Sequence, residues 1–271
     1  MSDIEAKKIK DNVKNTFDTV AKSYDNNRHF VISSQKLVQL IDVEAPQNIL
    51  DISTGTGHIA IELAKKYPKA QIYGVDISEE MLRIARTKAE QQGVSNITFS
   101  HQDVESMEFD RDGFDIITCG YGLFFYPNMD GVLKDIYSRL NSGGEFVFST
   151  FTDNAFQPYT DTFLEMLKDG YNIASPSRIE ERQLKSAKEI EEFVTQINHN
   201  RLEVHDTPIR FPMDIEEWWS LLNTTGYSGL LHQLGEDYEV FEKHYLAHLK
   251  NLHEDNNIAF NADSLISVVI K

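Results

Sequence analysis

The sequence contains little cysteine and an excess of acidic over basic residues. Its 271 residues include one cysteine, Cys119, which excludes an internal disulfide and a zinc site built on several cysteines. Lysine and arginine together number 26 against 43 aspartates and glutamates, giving a formal net charge of −17. A surface with this charge repels phosphate backbones, so general nucleic-acid binding is not expected.

Long apolar runs are also missing. No stretch approaches the roughly 20 residues of a membrane-spanning helix, and the first 14 residues are polar and mixed in charge, unlike a signal peptide. We therefore expect a soluble, cytoplasmic protein without a membrane span. With 41% hydrophobic and 25% charged residues, the composition is that of a globular protein and not of a disordered one.

Between residues 46 and 150, short apolar runs alternate with amphipathic stretches. The alternation predicts strands at 48–52, 72–76, 97–100, 114–119 and 144–150, and helices at 59–67, 79–92 and 132–140. Two later apolar runs, 202–211 and 264–270, are predicted to be further strands. This order is typical of an α/β fold with a doubly wound, mostly parallel sheet and helices on both faces.

A glycine-rich segment follows the first predicted strand and precedes a helix. It reads Asp51-Ile52-Ser53-Thr54-Gly55-Thr56-Gly57, and its glycines allow a ligand to approach the backbone closely. Asp76 ends the next strand, where a carboxylate can accept both hydroxyls of a ribose. The third glycine of a dinucleotide site and the lysine of a P-loop are both missing. Because Asp51 repels phosphate and attracts ammonium, we expect a nucleotide-like ligand with a cationic end.

This segment resembles motif I of the class I S-adenosylmethionine-dependent methyltransferases, with Ser53 in place of the usual first glycine. The resemblance continues through 74–82, 102–105, 113–122 and 140–144, in the family's order and spacing. Residues 13–28 resemble, more weakly, the N-terminal helix of small-molecule and quinone-type methyltransferases, in which a Tyr-Asp pair folds over the cofactor. The resemblance implies a Rossmann-like sheet of seven strands and S-adenosylmethionine as the cofactor.

The resemblance also implies which residues contact that cofactor. Asp51 would orient its ammonium group, Asp76 its ribose, and Asp103 with Val104 its adenine, while Gly120 and Tyr121 would lie beside the sulfonium. Each position has a plain structural interpretation as well, as a turn former, a helix cap or a core side chain. The full predicted set is Tyr24, Asp51, Ser53, Gly55, Gly57, Asp76, Ile77, Met81, Asp103, Val104, Gly120 and Tyr121.

No catalytic residue follows from these motifs. Methyl transfer from a sulfonium is an in-line displacement, and it needs a base only when the acceptor is a hydroxyl or an acidic carbon. His29 and His58 are candidate bases because imidazole titrates near neutrality, and Tyr121 is a third candidate. No metal site is expected, since His244 and His248 share a helix face without a third ligand.

The predicted function is transfer of the methyl group of S-adenosylmethionine to a small organic acceptor. The alternatives are methylation of protein or RNA, and a non-catalytic regulatory protein that binds the same molecule. A quinone-like or polyketide-like aromatic acceptor, a fatty acid and an amino acid all remain open, as does the oligomeric state.

The predicted organisation has three parts. Residues 1–45 form helices that cover the cofactor, and 46–150 form the Rossmann-like cofactor-binding core. Residues 151–271 supply the last strands together with helical, acceptor-binding insertions at about 151–198 and 214–255. In the second insertion, we expect one of Trp218 and Trp219 in the core and the other in the acceptor pocket.

Overall fold

A computed structural model describes residues 2–108, 113–174, 184–253 and 255–271. Its main feature is a seven-stranded sheet in the order β3-β2-β1-β4-β5-β9-β6. Strands β1 to β5 run parallel, whereas β9 is antiparallel to both β5 and β6. The strands are β1 (Asn48–Ile52), β2 (Gln71–Asp76), β3 (Ile97–His101), β4 (Phe114–Gly120), β5 (Leu140–Phe151), β6 (Arg201–Thr207) and β9 (Ser264–Ile270). The predicted doubly wound, mostly parallel α/β fold is confirmed.

Helices precede the sheet, alternate with its parallel strands and fill the later connections. They are α1 (Asp3–Val20), α2 (Arg28–Leu40), α3 (His58–Lys66), α4 (Glu79–Gln91), α5 (Met129–Arg139), α6 (Tyr159–Tyr171), α7 (Ala187–Val194), α8 (Ile215–Asn223), α9 (Ser228–Leu231) and α10 (Tyr238–Leu252). Within the four described stretches, no helix is long and apolar enough to cross a membrane. Part of the first predicted insertion, residues 175–183, lies outside the described residues.

One predicted strand is wrong in its extent. The run 202–211 is divided between β6, which ends at Thr207, and a separate strand β7 (Arg210–Asp214). Strand β7 pairs antiparallel with β8 (Asn257–Asn261) in a two-stranded ribbon. In the chain, β7 comes directly before the α8–α10 segment and β8 comes after it. Pro208 comes directly after β6 and donates no backbone hydrogen bond, so it marks the division in the sequence.

Both faces of the sheet are buried. Along β1, Ile49 packs in the cluster that contains residues of α2 and α3, while Leu50 packs on the opposite side with residues of α5 and α7. Side chains alternate between the faces of a strand, so covering both faces requires consecutive apolar residues such as Ile49 and Leu50 in β1. Burying one such aliphatic side chain stabilises the fold by about 1.5–3 kcal/mol.

A second core lies among α6, α8, α9, α10 and the ribbon. Trp218 and Trp219 both belong to it, with 0% and 7% of their surfaces exposed. The indole Nε1 of Trp218 donates to the Tyr245 hydroxyl at 2.8 Å, which in turn donates to the carbonyl of Tyr159 at 3.0 Å. Both tryptophans thus pack in this core, and the expectation that one of them lies in the acceptor pocket stays a prediction.

We expect Gly57→Ala to destabilise the fold more than Gly93→Ala. Both glycines have positive φ, 81° and 68°, where an alanine costs about 1–2 kcal/mol. An added Cβ meets nothing within 4 Å at Gly93, but at Gly57 it lies 3.0 Å from the Cβ of Ala85. Urea unfolding should therefore show a loss of about 1 kcal/mol for Gly93→Ala and about 2–4 kcal/mol for Gly57→Ala. Equal losses would contradict the tight contact with α4.

Candidate functional site

The carboxyl ends of β1 and β4 meet where the strand order of the sheet changes direction, the usual place for a ligand in this architecture. A cavity of about 50 Å³ lies there. Most of segment 51–59 lines it, together with the strand-end residues Gly120, Tyr121 and Ser149. Tyr24, Phe30, Ser33 and Ser34 close it from the N-terminal side.

Asp51 supplies a buried negative charge to this cavity. Its carboxylate accepts hydrogen bonds from the hydroxyls of Thr54 and Thr118, each at 2.6 Å. Burial raises the pKa of Asp51 to about 6 although these hydroxyls favour the ionised form. No lysine, arginine or histidine of the described chain forms an ion pair with it. The backbone N–H of Ala60 also donates to this carboxylate. A buried anion whose hydrogen-bond donors are all neutral attracts a cation.

Asp76 connects the glycine-rich loop to the end of β2. One of its oxygens accepts the backbone N–H of Gly55 at 2.8 Å, and the other accepts that of Ser78 at 2.9 Å. Burial raises the pKa of this carboxyl to about 6 as well. Each carboxylate oxygen has a further lone pair, so Asp76 can hold the loop and still accept a ligand hydroxyl.

Ser53 and Gly120 bring the backbone close to the cavity. Ser53 has a φ of 49°, in the left-handed region that favours glycine, which is the residue that the methyltransferase resemblance places there. Its hydroxyl is hydrogen-bonded to that of Tyr126 at 2.6 Å. At Gly120, an added Cβ would lie 2.6 Å from the Cδ1 of Ile59, so a larger residue would require the Ile59 side chain to shift.

Tyr121 follows Gly120 and links the end of β4 to other elements. Its hydroxyl donates to Ser33 on α2 at 2.6 Å and is hydrogen-bonded to Ser264 on β9 at 2.8 Å. Its ring stacks on Phe151 with centroids 4.1 Å apart. Burial raises the pKa of the Tyr121 hydroxyl. The side chain thus contacts α2, β5 and β9 at the edge of the cavity.

The predicted adenine side lies under α1. The ammonium of Lys10 contacts the carboxylates of Asp103 and Glu105, each at 2.6 Å. Val104 is buried in the sheet core, and Met81 packs with α1 residues such as Val20. The sequence reasoning did not identify Lys10, because nothing in a surface lysine of a helix indicates a partner 93 residues away.

Asp25 connects the turn between α1 and α2 to the glycine-rich loop. Its carboxylate accepts from the hydroxyl of Thr56 at 2.6 Å and lies 2.9 Å from the Nε2 of His58 and 2.5 Å from the ammonium of Lys88. Burial would raise the pKa of Asp25, but hydrogen bonds from His58, Lys88 and Thr56 hold it well below its usual range. The adjacent Tyr24 stacks on Phe30 at 4.7 Å.

The two candidate histidines occupy different environments. His58 lines the cavity and contacts Asp25, whereas His29 is fully buried, and burial lowers its pKa to about 3. Cys119 is buried, and burial raises its pKa to about 12, as suits a core thiol. Over the described ranges, no three His, Cys, Asp or Glu side chains are grouped as a metal site requires. The remaining predicted residue, Ile77, is partly exposed and accepts a hydrogen bond at its carbonyl from His101 at 2.8 Å.

These features define the class of protein. A glycine-rich loop, a strand-end carboxylate held to it and a buried anion at the switch point suit a nucleoside ligand with a cationic end. The sequence pattern of the methyltransferase domain family matches residues 44–209, more than half of the chain. The chain therefore belongs to the methyltransferase domain family, and the family predicted from the sequence is confirmed.

Curated relatives are similar over the cofactor-binding half. Demethylmenaquinone methyltransferase of Porphyromonas gingivalis is 32% identical over 169 residues, which cover 59% of this chain and 66% of the relative. Malonyl-[acyl-carrier protein] O-methyltransferase of Bacillus cereus is 32% identical over 134 residues, 49% of this chain and 48% of the relative. The chain thus matches about half to two thirds of the length of these relatives.

The fold itself is shared more widely. The YcgJ protein of Bacillus subtilis superposes with a TM-score of 0.58 at 21% identity, over 90% of this chain and 99% of that one. At this identity the likeness concerns the fold alone.

The pH dependence of stability should report the buried charge of Asp51. Between pH 4 and 6 the folded protein keeps a proton that the unfolded chain has released, so this group lowers stability as the pH rises. Asp51→Asn has no such proton to lose. The free energy of unfolding of Asp51→Asn minus that of wild type should therefore increase by about 3 kcal/mol between pH 4 and pH 7, as measured by urea titrations. The exposed control Asp161→Asn should show no such trend, and a flat difference for Asp51→Asn would contradict the raised pKa.

Lys88→Met should loosen the turn between α1 and α2, because it removes a partner from the partly buried Asp25 carboxylate. Hydrogen exchange of amides in residues 20–30 should become about 10-fold faster. Lys65→Met removes an exposed ion pair with Glu62 and serves as the matched control. Unchanged exchange in Lys88→Met would show that the turn is held by other contacts.

Proposed function

We propose that the protein transfers the methyl group of S-adenosylmethionine to a small organic acceptor by in-line displacement. The observation that carries this proposal is that the buried carboxylate of Asp51, beside the glycine-rich loop, has neutral hydrogen-bond donors and no ion pair among the described residues. Membership of the methyltransferase domain family supports it. The similarity to two curated relatives, both methyltransferases, supports it as well.

The predicted residues would each contact a different part of the cofactor. Asp51 would bind the ammonium group with help from the Gly120 carbonyl, and Asp76 would accept the ribose hydroxyls. Asp103 and Val104 would border the adenine. The other members of the set would shape the loop or cover the ligand; they are Tyr24, Ser53, Gly55, Gly57, Ile77, Met81 and Tyr121.

Access to this site requires a movement of α1 and the turn after it. The cavity of about 50 Å³ is far smaller than the roughly 300–1,000 Å³ of sites for ligands of this size. Tyr24 and Phe30 close the cavity, and Lys10 covers Asp103 from α1. We infer that α1 and the turn after it, together with the Phe30 side chain, open to admit the cofactor and then close over it. Helix α2 would stay packed on the sheet through Leu37 and Val38. Closure would exclude water from the reacting atoms.

The chain itself would contribute alignment more than acid–base chemistry. A sulfonium supplies a methyl group that is already activated, so the protein must hold the acceptor in line with it. Gly120 and Tyr121 at the end of β4 are the residues placed to do this. His58 contacts Asp25, and its role as a base stays a prediction.

The acceptor is proposed to be small. A net charge of −17 disfavours RNA as the acceptor. The helical segments at about 151–198 and 214–255 would form the acceptor side of the site. We expect the reaction to take place in the cytoplasm. Methylation of a protein and a non-catalytic protein that only binds S-adenosylmethionine are the remaining alternatives. Only the non-catalytic one produces no S-adenosylhomocysteine.

Calorimetric titration with S-adenosylmethionine and S-adenosylhomocysteine tests the proposal. Both should bind wild type, and Asp76→Ala should weaken binding at least about 100-fold, because it removes charged hydrogen-bond acceptors for the ribose. The exposed variant Asp161→Ala is the control. Unchanged affinity in Asp76→Ala would refute the placement of the ribose. Binding without production of S-adenosylhomocysteine across an acceptor screen would favour the regulatory alternative.

A further inference from the structure

His29 is a buried titratable side chain that does not line the cavity. None of its surface is exposed, and neither ring nitrogen has a hydrogen-bond partner in the part of the chain that the structure describes. A buried polar group without a partner destabilises a fold, whereas a phenylalanine of similar shape would pack here without that cost. Packing alone therefore does not explain an imidazole at this position.

Four phenylalanine rings surround His29. Their centroids lie 4.0 Å (Phe30), 5.6 Å (Phe260), 5.8 Å (Phe156) and 6.3 Å (Phe151) from that of the imidazole, and we call these five residues the aromatic box. Burial alone lowers the pKa of His29, to about 3, so no charged group of the described chain acts on the ring. The imidazole is neutral, with one nitrogen able to donate and the other able to accept.

The aromatic box adjoins the cavity. Phe30 lines the cavity, and its ring also contacts that of His29. Tyr121 lines the cavity as well; it lies 5.8 Å from Phe30 and stacks on Phe151, the last residue of β5, at 4.1 Å. A flat ligand that takes the place of the Phe30 ring would thus have both His29 and Tyr121 as neighbours.

We propose that the acceptor takes the place of the Phe30 ring against the other members of the aromatic box, and that it is a flat, uncharged aromatic compound whose hydroxyl donates a hydrogen bond to His29. The proposal rests on the proposed function and names the acceptor class for that site. Aromatic walls bind such a ring by stacking and edge-to-face contacts. The box has no cation to neutralise a carboxylate, which disfavours fatty acids and amino acids.

His29 would orient the acceptor hydroxyl and would not accept its proton as a base. A ring that stays neutral far below its usual titration range is a weak base. Its acceptor nitrogen still forms a directional hydrogen bond inside an apolar environment. We therefore assign His29 a binding role in place of the catalytic role that the sequence suggested.

The test uses the full chain saturated with S-adenosylhomocysteine and 2-naphthol as the probe. Calorimetry should show 2-naphthol binding at least about 10-fold more tightly than 2-methoxynaphthalene, which cannot donate a hydrogen bond. His29→Phe should abolish this difference, while His244→Phe on the exposed face of α10 should retain it. Octanoate should bind neither to wild type nor to the two variants.

NMR spectra of protein with ¹⁵N-labelled histidine test the hydrogen bond itself. A role of His29 in packing alone would not change the chemical shift of its ring nitrogens when the probe binds. The resonance that is lost in His29→Phe should shift when wild type binds 2-naphthol. We expect His29→Phe to fold with a Tm equal to or above that of wild type, since it removes two unpartnered nitrogens. If it fails to fold, His29→Gln serves instead and should keep part of the preference for 2-naphthol.

Three results would overturn the inference: equal binding of 2-naphthol to wild type and His29→Phe, no shift of the His29 resonance, or tighter binding of octanoate than of 2-naphthol. Absence of 2-naphthol binding while S-adenosylhomocysteine binds would also overturn it and leave the proposed function intact. Absence of S-adenosylhomocysteine binding to wild type would instead overturn the proposed function, and with it the acceptor assignment.

Discussion

The buried carboxylate of Asp51 is the constraint on which the rest of the site depends. Burying an ion is costly, and here the hydroxyls of Thr54 and Thr118 compensate part of the cost. One belongs to the glycine-rich loop and the other to β4, so the same charge joins the two strands on either side of the switch point. It also sets the ligand chemistry, because a negative charge here suits an ammonium and repels a pyrophosphate.

Helix α1 and the turn after it cover this site through polar contacts and a small apolar cluster around Val20 and Met81, whereas α2 packs in the sheet core. Lys10 contacts Asp103, and Asp25 contacts Lys88, at positions that remain partly exposed. Such contacts are individually weak compared with the apolar packing on both faces of the sheet. A segment held in this way can open while the sheet stays intact, which suits a cover over a site whose cavity is smaller than its proposed ligand.

The sequence predicted the parallel half of the fold well, because each strand and helix there has its own periodicity and turn residues. It was less accurate after residue 200, where β7 pairs with β8 about 40–50 residues later in the chain. Pro208 marks the end of β6, but the apolar pattern on both sides of it predicted a single strand over 202–211. The two tryptophans show a related difficulty: an aromatic residue has the same local pattern in a pocket wall as in a core.

The sequence by itself determined the strand–loop–helix of the glycine-rich segment and the position of Asp76 at the end of β2, because both depend on residues close together in the chain. The tertiary structure decided what covers the site and what encloses His29. Lys10 and Asp103 are 93 residues apart, and the aromatic box gathers rings from α2, the end of β5 and β8. Contacts of this kind follow from how separate elements pack, and no local spacing encodes them.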